Sequence, residues 1–171
     1  MPKTDPAREA LLTALEASGV SIPLWDGILI EETVRVAPGA TILPGCILRG
    51  NTTIAAGSVI GPGSVLTDAV IGKNCIVKNT YITESTLEEN VSIGPFSQVR
   101  PGCHIAAGCK IGDFVEVKNS HIGQKTAIAH LTYVGDTDCG SGVNFGCGVA
   151  IANFNGKEKF RTTIGDGAFL G

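Results

Sequence analysis

From Val36 onward the chain repeats itself every five or six residues. Twenty successive units open at Val36, Ile42, Leu48, Ile54, Ile60, Leu66 and so on to Cys139 and Phe145, and eighteen of the twenty openers are Ile, Val or Leu. Of the nineteen steps between them, fourteen are six residues long and five are five. The fifth residue is usually small, as at Ala40, Cys46, Thr52, Ser58, Ser64 and Thr86, and Gly, Pro or Asn crowds the positions between. Each unit reads as a short flat strand and a tight turn. The opener and the small fifth residue point inward, and glycine lets the backbone turn the corner. Three units close a triangular coil, and coils stack at the parallel-strand spacing of about 4.8 Å. The repeat therefore predicts an all-β parallel β-helix, in which a residue about three units further on stands on the same face, one coil up.

Composition fits such a coil. Hydrophobic residues are 43% of the 171 but aromatic ones only 5%, and there are 23 glycines. No strict Gly-X-Y period exists, which excludes collagen. Charged residues at 17% are too few for a disordered chain. The six cysteines form no CxxC pair. Cys46, Cys75, Cys103 and Cys109 occupy the small inward position and Cys139 an opener, so they read as reduced, buried fillers. Cys147 lies off the core pattern.

Two segments break the repeat. Residues 5–18 read as a short helix that Asp5 caps, Pro6 begins and Gly19 stops. This divides the chain into an N-terminal helix at 1–19 and a β-helix domain at 20–171. Between Phe145 and Ile164 the spacing predicts an inserted loop of about thirteen residues that includes IANFNGKEKFRT. Polar loops at a coil corner commonly carry function.

The net charge of −3 argues against a general nucleic-acid or membrane-surface binder. No apolar run is long enough to span a membrane, and MPKTDPAREALL lacks the apolar core of a secretory signal, so the expected compartment is the cytoplasm. Residues 1–99 carry 6 basic and 10 acidic side chains, and residues 100–161 carry 7 basic and 5 acidic, so the second half is suited to a small anion. The stacking rule puts Arg100 and Lys118 on one face in consecutive coils. Either they are solvated cations splayed apart, or an anion such as a phosphate lies between them. Glu116 and Tyr133 also share a face, with His130 near the same edge, where a carboxylate could orient the imidazole. The alternative there is a surface ion pair. His104 and His121 fall in neighbouring coils. A metal site of the γ-class carbonic anhydrase kind would need a third imidazole, and His130 belongs to another face, so no metal is expected. GxSxG, P-loop and HExxH patterns do not occur.

The stretches GPFSQVRPG, IGDFVEVKNSHIG, AHLTYVGDTDCGSGVNFGCG, ANFNGKEKF and TTIGDGAFLG closely resemble the acetyltransferase domain of the bacterial bifunctional N-acetylglucosamine-1-phosphate uridyltransferase/glucosamine-1-phosphate N-acetyltransferase (GlmU) family. That resemblance implies a left-handed winding, a homotrimer, acetyl-CoA as co-substrate and glucosamine 1-phosphate as acceptor. By resemblance His130 is the general base, Glu116 supports it, and Asn153 stands near the acetyl group. Arg100 and Lys118 clamp the sugar phosphate, and Tyr133, Asn144 and Lys159 are further sugar-site residues. Phe154 replaces the tyrosine usual in the family. No uridyltransferase domain accompanies these repeats, and the chain stops at Gly171 inside a repeat, so it reads as truncated at its C-terminus. The alternative is a non-catalytic sugar-phosphate-binding or trimerisation module of the same family.

Overall fold

The computed structural model describes residues 5–171. Very short parallel strands wind into a β-solenoid of about seven turns. They form three sheets of seven, eight and eight strands, and each strand pairs with those three places before and after it in the chain, except past the Tyr133–Gly135 strand, where the last pair in each of the two eight-stranded sheets is two places apart. We call the sheet from Leu29–Ile30 to Tyr133–Gly135 the first face. The sheet from Arg35–Val36 to Thr162–Ile164 is the second, and that from Thr41–Ile42 to Phe169–Leu170 is the third.

Two inward positions per strand build the core. Ile42, Leu48, Ile60, Leu66, Ile82 and Ile105 are fully buried openers. The second inward position lies two residues before each opener, as the alternation of a strand requires. Ala40, Cys46, Thr52, Ser58 and Ser64 hold it with no exposed surface. In a six-residue unit that is the fifth residue. In a five-residue unit it is the fourth, because the missing residue is taken from the turn. Ala69, Thr80, Ser85, Ser120 and Thr137 are accordingly buried. The expectation for Thr86 is corrected by this rule: Thr86 is only half-buried and Ser85 takes the inward place. The inward hydroxyls bond across the coils, as where Ser58 Oγ donates to Gly72 O at 2.7 Å and accepts from Cys75 N at 3.0 Å. Five cysteines are buried and free, and Cys147 is exposed. Burial pushes the Cys139 thiol up to about 11, leaving it a small apolar filler.

The helix Pro6–Ala17 covers the first coil. Asp5 accepts from the amides of Ala7 and Arg8, and Leu12 is fully buried beneath it. Arg8 Nε donates to Ile28 O at 2.7 Å and its Nη2 to Trp25 O, satisfying carbonyls of the first coil.

The insertion is shorter than the spacing predicts. Tyr133 still bridges Ala150, and Ile151 is buried in the opener position, so the coil continues one unit beyond Phe145. Only residues 152–161 leave it, at the corner between the first and second faces, before Thr162–Ile164 rejoins the second. The excursion doubles back on itself through the bridge between Phe154 and Lys159. Asn155 Oδ1 accepts from the amides of Lys157 and Glu158 at 2.9 and 2.8 Å.

Candidate active site

The register of the first face assembles the charged seam. Gln98 pairs with Glu116 and Val99 with Val117, so Arg100 and Lys118, which follow the inward valines, leave the same outer surface. Arg100 Nη1 donates to Glu116 Oε1 at 2.9 Å. Lys118 Nζ donates to Asp136 Oδ2 at 3.2 Å, with only 19% of the lysine side chain and 12% of the aspartate exposed. The loop returns Lys159 to the same place. Its side-chain nitrogen stands beside that of Lys118, whose charge pushes the Lys159 pKa down, while Lys118, between Lys159 and Asp136, holds its own proton more firmly than usual. Three basic side chains, Arg100, Lys118 and Lys159, thus share this seam, and the carboxylates bonded to them among the described residues are Glu116 and Asp136. Such a surplus suits an anion with several oxygens.

Tyr133 stands on the Glu116 rung, as the register pairs them directly. Its phenol lies over Gly135, where a Cβ would strike the hydroxyl unless the tyrosine side chain shifted. Asn153 reaches the seam from the loop: its Nδ2 donates to Asp136 Oδ2 at 2.6 Å.

His130 ends the strand Ala127–His130, one corner away from Tyr133. Its side chain is 60% exposed, and its Nδ1 meets Asp113 Oδ1 at 2.9 Å across the paired strands. The imidazole holds the Asp113 carboxyl below its usual range. An Nδ1–H donated to Asp113 leaves the Nε2 lone pair facing outward. The expected pairing of Glu116 with His130 is not what the chain forms. Asp113 occupies the register position opposite His130, and Glu116 is engaged by Arg100. Asn144 also falls elsewhere. It lies on the third face, paired with Ala127 and Phe169, away from the Arg100–Lys118 seam.

The structure thus brings together Arg100, Glu116, Lys118, Tyr133, Asn153 and Lys159. It sets His130 at the adjoining corner and Asn144 on another face. Three participants were not singled out from the sequence, Asp113, Asn119 and Asp136, nor was Arg161, which ties the loop to Asp138 on the second face. The stacking rule contained the signal for two of them, since Asp113 precedes His130 by the same interval that separates Glu116 from Tyr133, and Asp136 lies one coil beyond Lys118. On the second face His104 Nε2 meets Glu88 Oε1 and His121 Nδ1 meets Asp138 Oδ1, both at 3.1 Å.

Comparison with known proteins gives this geometry its setting. The family described as bacterial transferase hexapeptide (six repeats) matches residues 84–119. Over 164 residues, 96% of the chain, the sequence is 45% identical to the bifunctional protein GlmU of Acetivibrio thermocellus. It is 42% identical to that of Brevibacillus brevis over the same length. The chain is a hexapeptide-repeat relative of the GlmU proteins. It spans 36% of the length of each of these two relatives. Among solved structures, the Arabidopsis UDP-N-acetylglucosamine acyltransferase superimposes with a TM-score of 0.57 at 17% identity, covering 87% of this chain and 62% of that one. That likeness concerns the fold. The solenoid is the left-handed β-helix that hexapeptide repeats build.

Proposed function

We propose that this chain is an acetyl-CoA-dependent N-acetyltransferase unit whose acceptor is the amine of glucosamine 1-phosphate. The observation that carries the reading is the convergence of Arg100, Lys118 and Lys159 over only two carboxylates, one corner from an exposed imidazole that a carboxylate orients. The GlmU relatives supply the substrates.

In this reading the phosphate lies among the three cations, and Tyr133 and Asn153 border the sugar. An ammonium has no lone pair, so the acceptor reacts as the neutral amine, its first proton already released to water, and the nitrogen must shed a second proton as it attacks the thioester carbonyl. His130 Nε2 takes that proton while Asp113 keeps the proton on Nδ1 and faces the imidazolium that forms. As the carbon–sulfur bond breaks, His130 returns the proton to the departing thiolate. The acetyl donor already carries a good leaving group, and none of these steps requires a metal.

The site is completed between subunits of a homotrimer. The corner preceding the first face supports this. Phe96, Phe114 and Leu131 each hold a left-handed backbone, with φ of 57°, 55° and 44°, and each exposes more than half of its surface. The two phenyl rings stack with centroids 5.5 Å apart. Lower coils use Gly27, Gly45 and Gly63 at this corner. Bulky residues are strained in that conformation and gain little by it in water, whereas a second copy covering the column would repay them. Leu131 adjoins His130, so such a copy would reach the base. None of the described helices is long and apolar enough to cross a membrane, and a soluble amino-sugar phosphate is in keeping with a cytoplasmic enzyme.

The test is release of the coenzyme A thiol from acetyl-CoA in the presence of glucosamine 1-phosphate, for the unaltered protein and for His130→Ala. We expect turnover to fall by about 10²- to 10⁴-fold with little change in sugar affinity. Unchanged turnover removes His130 from the chemistry. Sugar-phosphate binding by calorimetry without any thiol release would instead establish the non-catalytic binding module.

A further inference from the structure

Asp136 has no role in the mechanism above, yet it holds together more of the site than any residue named in it. Its Oδ1 accepts from Asn119 Nδ2 at 2.6 Å, and its Oδ2 accepts from both Lys118 Nζ at 3.2 Å and Asn153 Nδ2 at 2.6 Å. The residue is 8% exposed and sits at the corner between the first and second faces with φ of 49°, a conformation aspartate tolerates. Its backbone is fixed from both sides: its amide donates to Lys118 O at 2.9 Å, and the amide of Thr162 donates to its carbonyl at 3.0 Å. Thr162 is where the 152–161 excursion rejoins the coil. One carboxylate therefore touches the cation of the seam, the loop that carries Asn153 and Lys159, and the backbone position at which that loop ends.

We propose that Asp136 is a positioning residue that latches the 152–161 loop to Lys118 and so sets where both present themselves to the acceptor sugar phosphate; the substrate part rests on the function proposed above. Lys118 has three ammonium hydrogens and only one is taken by Asp136. The aspartate fixes the direction of the other two. Without it, the long lysine side chain regains its rotamer freedom and Asn153 keeps only its long hydrogen bond to Gly135 O, at 3.4 Å, as a side-chain tie to the first face.

The sign of the effect separates this role from simple electrostatics. Asp136 is a negative charge beside an anion site. If charge alone mattered, removing it would tighten phosphate binding. If Asp136 positions Lys118 and the loop, removing its charge weakens binding. Asp136→Asn is the suitable variant, because asparagine also tolerates the left-handed backbone. Its amide must turn a donor toward one of the three groups that now donate to the carboxylate.

The experiment measures glucosamine 1-phosphate affinity by calorimetry for Asp136→Asn, Lys118→Met and the double variant, with hydrogen exchange of the loop and of the coils from 36 to 92. The expected result is a loss of affinity of roughly ten- to a hundredfold in Asp136→Asn, the scale of a charged hydrogen bond in a sheltered site. In the Lys118→Met background the same change should cost less than about threefold, since the lysine it positions is gone. Exchange in the loop should quicken while the lower coils keep their protection, which shows that the fold persists. Unchanged or tighter binding in Asp136→Asn overturns the proposal, as does an effect undiminished without Lys118. Should the unaltered protein not bind the sugar phosphate, the proposed function fails by itself. Loop exchange then still decides the latch, and an unchanged rate in Asp136→Asn refutes it.

Discussion

The first and second faces of the upper coils carry equally dense ladders of ionisable side chains, built by the same register, and they end in different states. On the second face His104 meets Glu88, and His121 shares Asp138 with Arg161, which grips it through two nitrogens at 2.5 and 2.6 Å. Each basic side chain of that ladder thus has a carboxylate partner. On the first face the loop delivers Lys159 to a place already holding Lys118 and Arg100, and the local carboxylates do not suffice. Stacking charged residues in a β-helix is thus not what makes a site. A site arises where the corner insertion adds a charge that the ladder does not balance.

Removing that surplus has the largest expected consequence. Arg100→Ala together with Lys118→Ala should weaken glucosamine 1-phosphate binding by about 10²- to 10³-fold, the combined scale of two charge-assisted contacts to phosphate. Glucosamine without its phosphate should be affected far less. Calorimetry with both sugars checks this. If both lose affinity equally, the seam shapes the pocket rather than holding an anion.

Acid should blur the contrast between the faces. Asp136 is held down at about 2 by Asn119, Lys118 and Asn153, and Asp138 at about 2 by Arg161 and His121. An unfolded aspartate titrates near 3.9. Both groups have depressed folded values, so their contribution is fully present above about pH 4 and is lost as pH falls through about 2. Asn153 and Arg161 flank the loop and are anchored by these two carboxylates. Amide exchange in residues 152–161 is therefore expected to accelerate, beyond its intrinsic pH dependence, between about pH 4 and pH 2, ahead of the apolar core. Asp138→Asn should already show part of that acceleration at neutral pH. A loop equally protected across the window would show that neither anchor matters.

The solenoid was legible because its core obeys a one-dimensional rule: from Val36 to Phe145 an aliphatic opener recurs with almost no exception. The rule slipped where a unit is shortened. Counting forward from Ile82 selects Thr86, but the strand alternation runs backward from Leu87 and buries Ser85. The same arithmetic brought Arg100 to Lys118 and Glu116 to Tyr133. It did not assign partners, since two carboxylates near one imidazole look alike in sequence and only the pairing of Asp113 with His130 distinguishes them. Asp136 was hidden for another reason. Its importance comes from the loop folding back over it, and a loop has no period to read.

The smallest expected effect lies on the second face and tests whether that ladder is idle. His104 and Glu88 form an exposed pair, with 44% and 38% of their side chains accessible. Such pairs contribute below about 1 kcal/mol, because water screens the attraction and holding two side chains together costs entropy. A double-mutant cycle of His104→Ala and Glu88→Gln should thus give a coupling energy within that bound by denaturant unfolding. The same variants should bind glucosamine 1-phosphate within about twofold of the unaltered protein, since neither residue contributes to the surplus charge. The Glu88 carboxylate also accepts from the amide of Ala107 at 2.8 Å, so Glu88→Gln keeps an acceptor there and isolates the charge. A coupling well above the bound, or a sugar-phosphate affinity that follows His104, would mean that the second face takes part in the site and that the two ladders differ in degree rather than in kind.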